Sequence, residues 1–75
     1  MDLTPVTAPV HGIVVNIDVS AGQSVPEGAP LLVLESMKME IPVLSEEAGT
    51  VSAIKVTPGD VVQEGDVLVE LTAPQ

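Results

Sequence analysis

The chain has no cysteine and no Phe, Trp or Tyr. Without thiols there is no disulfide, no thiolate nucleophile and no zinc–thiolate centre, and the single histidine, His11, cannot build a histidine-based metal cluster alone. Cationic side chains are nearly as scarce, since two lysines against 11 Asp and Glu leave a formal charge of −9 at pH 7. A nucleic-acid backbone or an anionic membrane surface would repel such a chain, so no nucleic acid and no membrane is expected among its partners. The longest apolar runs, such as Leu31 to Leu34, are four residues, against the roughly 20 that a membrane-spanning helix needs. No basic, apolar secretion signal precedes them, and the expected setting is the cytoplasm. The 75 residues can fill one small core, which excludes a multi-domain enzyme and gives a single domain over 1–75 with its core at about residues 8–72.

A clean window for a helix is missing as well. Seven Pro and six Gly recur every few residues from Pro5 to Pro74, and each would break or weaken a three-turn helix. The apolar residues that remain include fourteen valines, whose branched, stiff side chains pack well on a pleated sheet. The composition therefore predicts short strands and tight turns. A core this small leaves a net stability of about 3–5 kcal/mol unless something reinforces it.

An internal repeat supplies such reinforcement. Shifted by 37 positions, Gly12–Leu34 overlies Gly49–Leu71 with ten identities in 23 pairs, in the shared frame G-x-V-x-x-I-x-V-x-x-G-x-x-V-x-E-G-x-x-L-x-x-L. Ile17 and Val19 alternate with Asp18 as a half-buried strand requires, but the three-residue step from Val14 to Ile17 breaks the period of two and predicts a bulge or corner. Gly22 and Gly59 stand where a turn needs positive φ, and Pro58-Gly59 suits a type II turn. Neither half can bury its apolar face alone, so the repeat predicts a two-fold-like sandwich or flattened barrel of about seven or eight short strands.

Between the halves lies Glu35-Ser36-Met37-Lys38-Met39-Glu40-Ile41-Pro42-Val43-Leu44, with one of the two lysines and both internal methionines. Leu31 to Leu34 reads as a strand entering and Ile41 to Leu44 as a strand leaving, so Ser36 to Met39 is the expected hairpin tip. Lys38 then points into solvent. Methionines on either side of it bury nothing within the chain unless they fold back onto the core, and otherwise offer adaptable apolar contacts to a partner. Elsewhere the residues read blandly. His11 is an exposed loop residue, the serines lack a Gly-x-Ser-x-Gly frame, the glycines are too dispersed for a phosphate loop, and Glu46-Glu47 marks a solvated loop.

The run Glu35-Ser36-Met37-Lys38-Met39-Glu40 resembles the modification motif of the biotinyl/lipoyl attachment domains, whose usual biotin form is Glu-Ala-Met-Lys-Met; here serine replaces the alanine. The resemblance extends from about Ala8 to Leu71, through Ala8-Pro9-Val10-His11-Gly12, both repeat frames and the Gly59-Asp60 turn. It is nearest to the short biotin carboxyl carrier-like attachment proteins of bacteria. It implies an all-β, flattened β-barrel or sandwich of two four-stranded antiparallel sheets with quasi-two-fold symmetry, the lysine on a hairpin at one end and the termini at the other. It further implies that a biotin protein ligase joins biotin covalently to Lys38, and that Glu35, Ser36, Met37, Met39 and Glu40 serve recognition by the ligase or other partners. The domain itself would catalyse nothing and would carry carboxylate between biotin carboxylase and carboxyltransferase subunits. Lipoate on Lys38 is the alternative cofactor, serving a 2-oxoacid dehydrogenase or glycine cleavage system, although lipoyl domains place Asp before the lysine. An unmodified β-barrel interaction module is the alternative from another class. The repeat has no insertion to house the thumb loop of longer carriers, and the isolated domain is expected to be a monomer.

Overall fold

A computed structural model describes residues 3–73 of the chain; Pro74, one of the punctuating prolines, lies outside the described residues. Eight strands follow one another without an intervening helix: β1 Leu3–Thr7, β2 Gly12–Ile17, β3 Ser24–Val25, β4 Pro30–Ser36, β5 Met39–Leu44, β6 Gly49–Ile54, β7 Val61–Val62 and β8 Val67–Thr72. They form two antiparallel four-stranded sheets, ordered β1-β8-β6-β3 and β5-β4-β2-β7. Between the sheets lies an aliphatic core led by Val14, Leu31, Leu32, Leu34, Val51, Leu68, Val69 and Leu71, all fully buried. With no aromatic ring available, the cohesion comes from these branched side chains, each worth about 1.5–3 kcal/mol when removed from water.

The repeat is the fold's organising symmetry. A shift of 37 residues carries β2, β3 and β4 onto β6, β7 and β8, and the backbone hydrogen bonds of the turns pair off in the same way. Val14 N–H donates to Asp60 O as Val51 N–H does to Gln23 O, and Gly59 N–H donates to Val14 O as Gly22 N–H does to Val51 O. The predicted bulge is present in both halves, between Val14 and Asn16 and between Val51 and Ala53. Gly22 and Gly59 adopt φ of 91° and 96°, each at the third position of a turn closed by Gln23 N–H to Ser20 O or Asp60 N–H to Thr57 O. That is the type II geometry expected of Pro58-Gly59.

The symmetry also reaches further than the 23 matched pairs. By the same shift β1 is the counterpart of β5, with Pro5-Val6 answering Pro42-Val43. Both are edge strands, where a proline removes a donor that would otherwise face solvent. The other two edges, β3 and β7, are only two residues long. A second bulge lies in each half, between Pro30 and Leu32 of β4 and opposite Val6/Thr7 on β8. It turns the adjacent pairs Leu31-Leu32 and Leu68-Val69 inward together, which strict alternation would forbid.

This topology fixes where the central segment sits. β5 leaves the β4–β5 turn, runs the length of its sheet, crosses over at residues 45–48 and enters β6 at Gly49. Thr50 there faces Thr72, and Thr72 faces Leu3. The first and last strands therefore close one end of a body 38 × 17 × 17 Å, and the β4–β5 turn occupies the other.

Candidate functional site

The β4–β5 hairpin closes more tightly than its sequence suggests. Ser36 pairs with Met39 and Glu35 with Glu40, so the turn proper is Met37-Lys38 alone and Met39 already belongs to β5. Both turn residues have positive φ, 52° and 66°. Two central residues with φ above zero define the type I′ hairpin, usually supplied by Asn-Gly because glycine bears that backbone without steric conflict. Here neither position is Gly or Asn, and a β-carbon in this region costs roughly 1–2 kcal/mol. The turn holds that strain through the ladder on either side of it.

Exposure follows from the geometry. Met37 is 92% and Met39 65% exposed, so Met37 does not fold back onto the core. Lys38 is exposed and, among the described residues, has no ion-pair partner. The neighbouring Glu35 and Glu40 face each other across the strands, a like-charge pair that disfavours the hairpin slightly, and both are exposed. Ser36 is half-buried at the base of the turn. The six residues singled out from the sequence thus stand together at one end of the body.

Lys55, the other lysine, is placed differently. It lies one residue beyond the end of β6. Its N–H donates to Leu68 O at 2.8 Å, and its ammonium lies 3.7 Å from the Glu70 carboxylate. Lys55 thus lies along the flank of a sheet, whereas Lys38 stands on a two-residue tip. The hairpin's base is held firmly, because Gly12 of β2 lets Glu35 approach so closely that a Cβ there would sit 2.6 Å from the Glu35 carbonyl oxygen.

The family model described as "Biotin-requiring enzyme" matches residues 4–71. The chain belongs to the biotin/lipoyl attachment family. Within that family it is 48% identical over 63 residues to the "Biotinylated protein TB7.3 homolog" of Mycobacterium leprae, covering 84% of this chain and 89% of that one. It is 46% identical over 56 residues to the "Biotin/lipoyl attachment protein" of Bacillus subtilis, covering 75% and 77%. Among solved structures, a single-chain, multi-domain long-chain acyl-CoA carboxylase matches with a TM-score of 0.91 and 36% identity, over 96% of this chain and 7% of the carboxylase. The matching barrel is thus a small part of that carboxylase chain.

Sequence reasoning missed two residues at this end, Ile13 and Val61. His11, Ile13 and Val61 line a 420 Å³ groove beside the hairpin together with Gly12, Glu35, Ser36 and Met37. The signal was available in the repeat, where Ile13 stands opposite Thr50 and Val61 opposite Ser24.

Proposed function

We propose that the chain is a biotin carboxyl carrier, a single attachment domain whose Lys38 bears the cofactor. The observation that carries this reading is the presentation of Lys38 on a strained two-residue turn at the tip of the body, unpaired among the described residues and flanked by exposed methionines. The residues present fit the group. An amine at a tip can enter an enzyme's active site, and the barrel behind it supplies a rigid handle.

Attachment joins Nζ of Lys38 to the carboxyl carbon of biotin as an amide. Lys38 would hold the group through that amide, a condensation in which the ammonium gives up two protons, the carboxylate gives up one oxygen, and a biotin protein ligase would supply the driving force. The formal charge moves from −9 to −10. Bound there, biotin supplies a ureido ring that accepts and releases a carboxyl group. The part proposed for the chain's own residues is to position the tether. The exposed hairpin lets the arm swing, and the covalent link turns a bimolecular encounter into an intramolecular one at high effective concentration. Glu35, Ser36, Met37, Met39 and Glu40 form the surface that the ligase and the partners read.

Biotin carboxylase and carboxyltransferase parts are the proposed partners, a reading supported by the likeness of this barrel to part of a multi-domain acyl-CoA carboxylase. The proline-blunted and two-residue edges support a monomeric carrier. The cytoplasm is the proposed setting. The reading is tested by probing the protein, produced with free biotin and lipoate, by avidin and anti-lipoyl blotting beside its Lys38→Arg variant. An avidin signal lost in the variant is expected. A lipoyl signal without an avidin signal would assign the other cofactor, and neither signal would reject the carrier role.

A further inference from the structure

The two halves of the repeat act as an internal control on each other. On the outer face of the β5-β4-β2-β7 sheet, Val61, Ile13, Glu35 and Glu40 form one row across β7, β2, β4 and β5. The same shift of 37 maps this row onto Ser24, Thr50, Thr72 and Leu3 across β3, β6, β8 and β1. The backbone is equivalent in the two rows, and the side chains are not. Where the termini end carries Ser24 and Thr50, the hairpin end carries Val61 and Ile13, 62% and 44% exposed. The fold therefore does not need apolar side chains at these positions, and the apolar surface that Ile13 and Val61 leave to water disfavours the isolated protein.

Both residues line the 420 Å³ groove that Met37 borders from the hairpin. The result is an apolar centre of Ile13, Val61 and Met37, flanked by Glu35 and Glu40 on a chain of net charge −9. Such a centre with an acidic border complements an apolar surface with a basic rim.

Resting on the reading of Lys38 as the biotin attachment site, we infer that Ile13 and Val61 extend the ligase-docking surface from the hairpin onto the sheet. The ligase is the partner that this position selects. Before modification the amine lies only four methylenes from the Lys38 backbone, so the ligase must bring its active site down onto the turn and cover the ground beside it. After modification the arm is longer, and carboxylase sites can engage its far end without touching the groove.

The test measures biotin incorporation by intact mass under steady-state conditions, with a purified biotin protein ligase, biotin and ATP. The double variant Ile13→Thr/Val61→Ser installs the residues that the other half already carries at equivalent positions. Its kcat/KM is expected to fall about tenfold, mostly through KM, as expected for loss of an apolar interface centre. The reciprocal variant Ser24→Val/Thr50→Ile, at the termini end, is expected to react as the wild type. If the double variant fails to fold, Val61→Ser alone, on a two-residue edge strand, is expected to show about a threefold loss. A wild-type rate in the folded double or single variant would overturn the inference, as would an equal loss in the reciprocal variant. So would an unchanged ligase rate with impaired transfer to carboxylase subunits, which would assign the groove to them. A wild-type protein that takes up no biotin would overturn the proposed function itself, a result distinguishable from all of these.

Discussion

Replacing Met37 separates the strain in the turn from the chemistry of its side chain. The residue sits at φ 52° and is 92% exposed, so truncation removes almost no buried surface. Its β-carbon in the left-handed region costs roughly 1–2 kcal/mol. Glycine relieves that cost and gives back about 0.5–1 kcal/mol through the greater freedom of its unfolded chain. Met37→Gly is therefore expected to stabilise the domain by about 0.5–1 kcal/mol, raising Tm by about 2–8 °C for a chain of this size. Met37→Ala is the necessary companion, because alanine removes the same thioether but keeps the β-carbon, and it is expected to leave Tm nearly unchanged. With no aromatic residue in the chain, unfolding is followed by far-ultraviolet circular dichroism rather than by intrinsic fluorescence. Equal Tm values for the Gly and Ala variants, or a lower one for Gly, would refute the strained type I′ turn.

Two further outcomes follow from the repeat. Gly12→Ala and Gly49→Ala each drive a β-carbon into a backbone carbonyl oxygen, at 2.6 Å for Glu35 and 2.5 Å for Thr72, so both are expected to lose about 1–3 kcal/mol in urea titrations, with Gly12→Ala also disturbing the base of the hairpin. Buried Ser45, whose hydroxyl donates to the Glu47 carbonyl, is the counterpart of buried Ala8; Ser45→Ala is therefore expected to change stability by no more than about 1 kcal/mol, checked by the same titration.

Much of the fold is legible in the sequence because its two halves repeat the message. Matched glycines mark the turns, the three-residue step from Val14 to Ile17 marks a bulge, and both appear where expected. The hairpin is legible from its two flanking apolar runs. Its two-residue closure is not, because Met-Lys carries none of the Asn-Gly or Asp-Gly chemistry that announces a type I′ turn. The burial of Leu31 beside Leu32 is hidden for a related reason, since a bulge overrides alternation and leaves no residue-type mark. The equivalence of β1 and β5 is faint in the sequence, because only Pro5-Val6 and Pro42-Val43 betray it across so short a strand. Lys38 was legible as chemistry. The groove beside it was not, because Ile13 and Val61 are distant in sequence and come together only when β2 pairs with β7.

The central claim is that Lys38, and no other nitrogen of this chain, takes the cofactor. Its most direct test is intact-mass spectrometry after co-expression with a biotin protein ligase and biotin, comparing the wild type with Lys38→Arg and Lys55→Arg. The account predicts a gain of one biotin less one water in the wild type and in Lys55→Arg, and none in Lys38→Arg. A full gain in Lys38→Arg, or its loss in Lys55→Arg, would contradict it.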